Sequence, residues 1–303
     1  MRRLLVIACI GVAACGGASD SVKTPPHSEP SGEAYRASVE AFRSALETKL
    51  TSDTGWLTIA GLSFLTKPET TFGSAPGNDI VLPGATPARV GTFVLAADGR
   101  TSVRLEPGVQ VHLLDGRPFT GGELKSDFAG PPDRLVLGDV QAWVHMSGDR
   151  PTVRIRDKNN PLRTTFTGMR WYPIDESYRL EATFVPYDTP KRIKVPNLLG
   201  DVDTMTAPGD VTFTLHGKPQ RMIAVEDDGE LWFIFKDVTS GETTYEAARF
   251  LYTSLPVDGK VMLDFNRAEN PPCAYNQFTT CPLPPPQNRL KVRVEAGEQL
   301  QTH

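Results

Sequence analysis

From Gly55 onward the chain runs in short apolar stretches with two-residue alternation, cut at close intervals by turn-forming pairs, a pattern that suits antiparallel β-structure and little else. The cuts are specific. Ala97-Asp98-Gly99, Leu114-Asp115-Gly116, Glu226-Asp227-Asp228-Gly229 and Val257-Asp258-Gly259 each place Asp before Gly, the pair that tolerates the positive φ of a tight hairpin. Candidate strands between them are Asp79–Leu82, Gly91–Ala96, Ser102–Leu105, Val109–Leu114, Val140–Met146 and Thr152–Arg156. In the second half they are Arg179–Val185, Val211–Leu215, Arg221–Val225, Leu231–Phe235, Val261–Phe265 and Leu290–Val294. No helical periodicity separates these runs, so parallel β-α-β units have no place, and about thirteen strands predict an all-β body. A compositional break at Asn159-Asn160-Pro161 divides it, and the expected architecture is two β-sandwich or barrel-like subdomains, 55–158 and 159–300.

Ahead of the strands, Tyr35, Val39, Phe42, Leu46 and Leu50 recur at spacings of four, three, four and four, which predicts one N-terminal amphipathic helix over 33–51. A helix docked on the β-body explains this stripe better than a lipid-binding one. Residues 16–32 are Gly, Ala, Ser, Pro and charge, the composition of a flexible tether. The residues before them carry an address: Met1-Arg2-Arg3, an apolar run from Leu4 to Gly11, then Val12-Ala13-Ala14-Cys15-Gly16. This is the layout of a lipoprotein signal peptide over 1–15, with Cys15 as the residue to be acylated. The apolar run is far short of the roughly 20 residues that span a bilayer. The expectation is thus a periplasm-facing protein anchored to a membrane through lipidated Cys15, and Gly16 in place of Asp after the cysteine favours the outer membrane over the inner.

An exported chain reaches an oxidising compartment, and Cys273 and Cys281 are the pair left once Cys9 and Cys15 are assigned to the leader. They are expected to form a disulfide. No His stands near them and their spacing is not that of zinc ligands, so no metal is expected. Without Arg2 and Arg3, 30 basic side chains face 36 acidic ones with no basic stripe, which argues against nucleic acid as a partner. No nucleophile elbow, HExxH pair, Walker loop or dinucleotide fingerprint is present, and no cofactor is implied. A pair of distant carboxylates could still form an active site without any local motif.

Two polar clusters stand out. Asp264, Asn266 and Arg267 follow the apolar run Val261-Met262-Leu263, with Asn270 next and Pro271-Pro272-Cys273 turning the chain out of the sheet. Tyr245 and Arg249 arrive from the preceding segment. These residues suit a ligand pocket beside the cystine loop, and they suit equally well an internal brace for a proline-rich loop with few donors of its own. In the ligand reading, alanine at Arg249 and Asp264 abolishes binding and leaves the melting temperature nearly unchanged. The second cluster is Arg154, Arg156, Asp157 and Arg163. Alternation puts Arg154 and Arg156 on one face, where two guanidiniums suit a carboxylate or phosphate, although a charge-blunted edge strand accounts for the same letters.

Two resemblances attach to these segments. Phe72-Gly73-Ser74, Gly77-Asn78-Asp79-Ile80-Val81-Leu82-Pro83 and Leu135-Val136-Leu137-Gly138-Asp139-Val140 resemble forkhead-associated β-sandwich modules, which bind phosphothreonine through an Arg and a Ser. Ser74 stands here where that Arg would be, so the likeness implies fold alone. Gly241 to Phe250, Asp264 to Tyr275 and Cys281 to Leu290, with Arg154-Ile155-Arg156-Asp157 and Phe166-Thr167-Gly168 with Trp171-Tyr172-Pro173, resemble the bacterial domain-of-unknown-function family numbered sixteen eighty-four. That resemblance implies no activity. The expected function is an envelope protein that binds a small polar or anionic ligand or a partner protein; a hydrolase of envelope carbohydrate or peptide and a purely structural component are the alternatives.

Overall fold

The computed structural model describes residues 31–301. The leader with Cys15, and all of the tether but its last two residues, lie outside the described residues. The first element, α1 (Gly32–Thr51), buries Tyr35, Val39 and Leu50 and half-buries Phe42 and Leu46, so the stripe read in the sequence faces the β-body.

The N-terminal part holds β1 (Ile59–Phe64), β2 (Glu69–Gly73), β3 (Ile80–Val81), β4 (Gly91–Leu95), β5 (Thr101–Leu105) and β6 (Val111–Leu113). They are followed by β7 (Pro118–Phe119), β8 (Gly122–Leu124), β9 (Leu135–Leu137), β10 (Val140–Ser147) and β11 (Arg150–Asp157). One sheet runs β1-β11-β10-β9-β6-β7 and the other β3-β2-β4-β5-β8. Alternation decides what meets between them: Ala142, Val144, Val153 and Ile155 share one core with Phe72, Phe93 and Val103. Ser74, in the forkhead-associated-like stretch, donates its hydroxyl to the Thr86 carbonyl at 2.7 Å.

The C-terminal part holds β12 (Arg179–Pro196), β13 (Val202–Leu215), β14 (Lys218–Asp227), β15 (Glu230–Phe235), β16 (Arg249–Thr253) and β17 (Lys260–Asp264), in the sheet order β16-β15-β14-β13-β12-β17. The sheet curls until its edges meet: the Thr253 hydroxyl on β16 donates to the Met262 carbonyl on β17 at 2.8 Å. Leu231, Phe233 and Phe235 of β15 point into the enclosed core with Phe213, Leu263 and Phe265. The β14–β15 turn works as read, with positive φ at both Asp228 (46°) and Gly229 (81°).

One expected strand is absent. Leu290–Val294 joins no sheet ladder, although Leu290, Val292 and Val294 alternate into the same core. The segment follows a run of prolines that cannot donate, and it pairs only in passing: Leu290 N donates to Lys236 O (2.8 Å) and Val238 N to Val292 O (3.2 Å). Its next carbonyls are taken by a side chain, Arg249, instead of a neighbouring strand. Cys273 and Cys281 are bonded across a separation of eight residues, a closure that constrains the unfolded chain by about 2.5 kcal/mol.

Candidate functional site

The first expected cluster does assemble, but inward. Asp264 ends β17 and caps the turn after it, accepting from Asn266 N (3.1 Å), from the Tyr35 hydroxyl of α1 (2.8 Å) and from Arg267 Nε (3.1 Å). Asn266 is fully buried; its Nδ2 donates to the Tyr35 hydroxyl, Asp175 O and Asp264, and its Oδ1 accepts from Asp175 N. This network clamps α1 to the barrel. Arg249 is also fully buried, paired with Asp237 at 3.1 Å and donating to Ala296 O and Val294 O. The Tyr245 hydroxyl donates to Cys273 O at 3.2 Å. The expected concave, solvent-facing cluster of Tyr245, Arg249, Asp264 and Asn266 is therefore corrected to a set of internal braces, because these side chains are engaged by backbone, by α1 and by the neighbouring Asp237 and Arg267 side chains. Arg267 borders a hollow beside α1, and Asn270 alone of the six faces the cleft described next.

The second cluster separates. Arg154 and Arg156 share the outer face of β11, as alternation required, but β11 is an inner strand between β1 and β10 and both side chains are buried, so the charge-blunted edge is corrected. Asp157 instead caps the turn that follows, accepting from Asn159 N, and Arg163 ties the end of α1 by donating to Thr51 O and pairing with Asp53.

The cleft, of about 300 Å³, lies under the cystine loop, between α1 and the outside of β15 and β16. Alternation creates its wall. With Leu231, Phe233 and Phe235 turned into the barrel, Trp232 must face outward, where it stacks on Tyr252 (centroids 5.8 Å, planes 5° apart) and meets Phe250 edge-on at 4.9 Å. Glu269 is held beside Phe250 by two backbone hydrogen bonds of 2.8 and 2.9 Å, and Asn270 follows it. The loop closed by the disulfide supplies Tyr275 and Thr280. Three buried polar atoms of these linings have no partner: Trp232 Nε1, Asn270 Oδ1 and Thr280 Oγ1.

Two carboxyls set the electrostatics. Burial, then the charge of Glu298, pushes the Glu269 carboxyl up to about 7, with Lys49 acting against the shift. Glu298, fully buried behind the cleft, is likewise pushed up to about 7 by burial; Asn270 N, the Tyr275 hydroxyl and Gln301 Nε2 donate to it and hold the rise in check. The Tyr275 hydroxyl is pushed far above its usual range by burial and by that carboxylate. The sequence reading missed Trp232, Glu269 and Glu298. Among the described residues no group of three or more His, Cys, Asp or Glu side chains is placed to hold a metal ion.

Comparison with known proteins gives a family and no activity. No curated protein matches the chain. A solution NMR structure of an uncharacterized protein of Haloarcula marismortui matches at 31% identity, over 45% of this chain and 78% of that one, with a TM-score of 0.39. A family model described as "Protein of unknown function (DUF1684)" matches residues 164–299, a span that includes Glu269, Asn270, the cystine loop and Glu298 and begins after Arg154 and Arg156. Through residues 164–299 the chain belongs to this family of unknown function, DUF1684.

Proposed function

We propose that this is a lipid-anchored envelope protein, tethered through Cys15, that binds a small neutral polar molecule in the cleft beneath the cystine loop. The observation that carries the reading is that three residues lining one aromatic-walled cavity, Trp232, Asn270 and Thr280, each hold a buried polar atom without a partner: Nε1, Oδ1 and Oγ1. A buried polar group without a partner costs about 1–3 kcal/mol, and a ligand that pairs with all three offsets that cost. Two donors, one acceptor and the flat faces of Trp232 and Tyr252 match a sugar ring, which has hydroxyls at its edge and C–H groups on its face. Glu269 and Glu298 disfavour an anionic ligand here. A cavity of about 300 Å³ is at the small end of ligand sites, the size of one ring instead of a chain.

Titration calorimetry of the purified chain against a panel of neutral monosaccharides tests the reading. The expected result is saturable one-to-one binding, weakened at least tenfold by Asn270→Ala and by Trp232→Phe, which keeps the ring and removes the N–H donor. Binding by none of the panel, or equal binding by both variants, would sink it. A second reading rests on Glu269 alone: a carboxyl with a pKa of about 7 facing a cleft is poised as a general acid, as in a hydrolase of envelope carbohydrate. Turnover of a bound glycoside that is lost in Glu269→Gln distinguishes that reading from simple binding. The address has its own check, the mass of the mature N-terminal peptide, expected to begin at an acylated Cys15.

A further inference from the structure

Ten buried side-chain polar atoms among the described residues lack a partner; three line the cleft and four more lie on the outer face of β10 and β11. The direct cross-strand pairs there are Gln141 with Arg156, Trp143 with Arg154 and His145 with Thr152. Paired residues share a face, and the alternate residues Ala142, Val144, Val153 and Ile155 fill the core on the other side. Gln141 Oε1, His145 Nε2, Arg154 Nε and Arg156 Nη1 are the unpartnered atoms, and Arg154 and Arg156 are only 7% and 6% exposed.

The cations outnumber what neutralises them. Arg156 donates to Thr58 Oγ1 (2.9 Å) and Thr54 O (2.7 Å), neither of which carries charge. Arg154 has no hydrogen bond or ion pair with any described residue and lies over the Trp56 ring at 5.9 Å. Arg134, half-buried just before β9, and Arg156 both lie over the Trp143 ring, at 4.9 and 5.4 Å. The carboxylate that acts on Arg154 is Asp127, and its two oxygens are engaged by His145 Nδ1 (2.7 Å) and Met146 N (3.0 Å). Three guanidiniums against one engaged carboxylate leave a net charge of about +2 in a desolvated place, where an uncompensated charge is strongly unfavourable.

We propose that this face binds one phosphate group, free or as a monoester, held between Arg154 and Arg156, with Arg134 approaching from the half-exposed side and the unpartnered Nε2 edge of His145 on the same face. A phosphate dianion offsets the surplus charge that a single carboxylate would leave half unbalanced, and its oxygens accept from several guanidinium N–H groups at once. Burial and the neighbouring Arg134 and Arg154 charges hold Arg156 down to about 10; a bound anion reverses that strain.

The test is calorimetric titration of the full chain with inorganic phosphate and, separately, with glycerol 3-phosphate, each against chloride at equal ionic strength. One saturable site is expected. Inorganic phosphate as the tighter binder identifies a free-ion site, and glycerol 3-phosphate as the tighter binder identifies an ester site. Arg154→Gln should weaken binding at least tenfold, Arg134→Gln several-fold, and Glu269→Gln in the separate cleft not at all. Because Arg134 is half-exposed and makes no hydrogen bond, its variant keeps the test meaningful if Arg154→Gln does not fold. Heat no larger than the chloride control with both anions, or wild-type affinity in Arg134→Gln and in a folded Arg154→Gln, overturns the proposal.

Discussion

Asp237→Ala destabilises the protein by about 3–5 kcal/mol, the cost typical of stripping one partner from a buried ion pair. The geometry explains why the figure sits so high. Arg249 and Asp237 are both fully withdrawn from water, and each serves as more than half of a pair. Asp237 accepts from Val294 N (2.6 Å) and from the Thr239 amide and hydroxyl, while Arg249 donates to Val294 O (3.0 Å) and Ala296 O (2.5 Å). Together they pin the Leu290–Ala296 segment, which has no strand neighbour to satisfy it. Burial depresses the Arg249 pKa and Asp237 opposes that fall, so removing the carboxylate leaves a cation with nothing to offset its desolvation. The urea midpoint should drop with little change in slope. Arg249→Met with Asp237→Leu should recover only part of the loss, since the Val294 and Ala296 carbonyls stay unpaired. A single Asp237→Ala variant within about 1 kcal/mol of wild type would return Arg249 to the ligand-facing role that the sequence reading gave it.

The contrast between Arg249 and α1 marks what the sequence makes legible. The helix repeats its apolar residues at a fixed spacing, and the Asp-Gly turns announce hairpins, because both are local consequences of backbone geometry. Arg249 offers no such signal; its partner is 12 residues away in an irregular loop, and only the fold brings them together. The outer half of the β12–β13 hairpin was hidden because its covered face is so short: Val195 is buried with Ile193 and Met205 packed beside it, too few apolar residues for the alternation to stand out among exposed neighbours. The cleft was hidden for the opposite reason. Leu231–Phe235 is apolar without a break, which fits a strand covered on both faces, and the second cover is the Pro- and Cys-rich loop. That continuity was the one available pointer to Trp232. Glu269 and Glu298 had none, because burial, not composition, distinguishes them from the other carboxylates.

Unfolding free energy should fall as pH rises from 4.5 to 7, a window in which many proteins gain stability. The sign follows from proton counting. Glu269 and Glu298 titrate near 7 in the folded chain and near 4.5 when unfolded, so between those values the native state holds more protons. Stability from these groups is complete below about 4.5 and is lost as pH climbs through about 7. Moving one carboxyl that far corresponds to about 3 kcal/mol, and Glu298, with no exposure, should supply most of the effect. Urea midpoints at pH 5, 6, 7 and 8 measure the slope. Glu269→Gln provides the internal control: its carboxyl makes no hydrogen bond that the amide would break, and its removal takes away the neighbouring charge. The slope should then flatten in part, because one titrating group is gone while Glu298, raised by its own burial, keeps its share. A ligand that hydrogen-bonds a protonated Glu269 should, for the same reason, bind more tightly at pH 6 than at pH 8. Stability that is flat or rising between pH 5 and 7 would mean that water reaches Glu298 and that the cleft has no dry wall behind it.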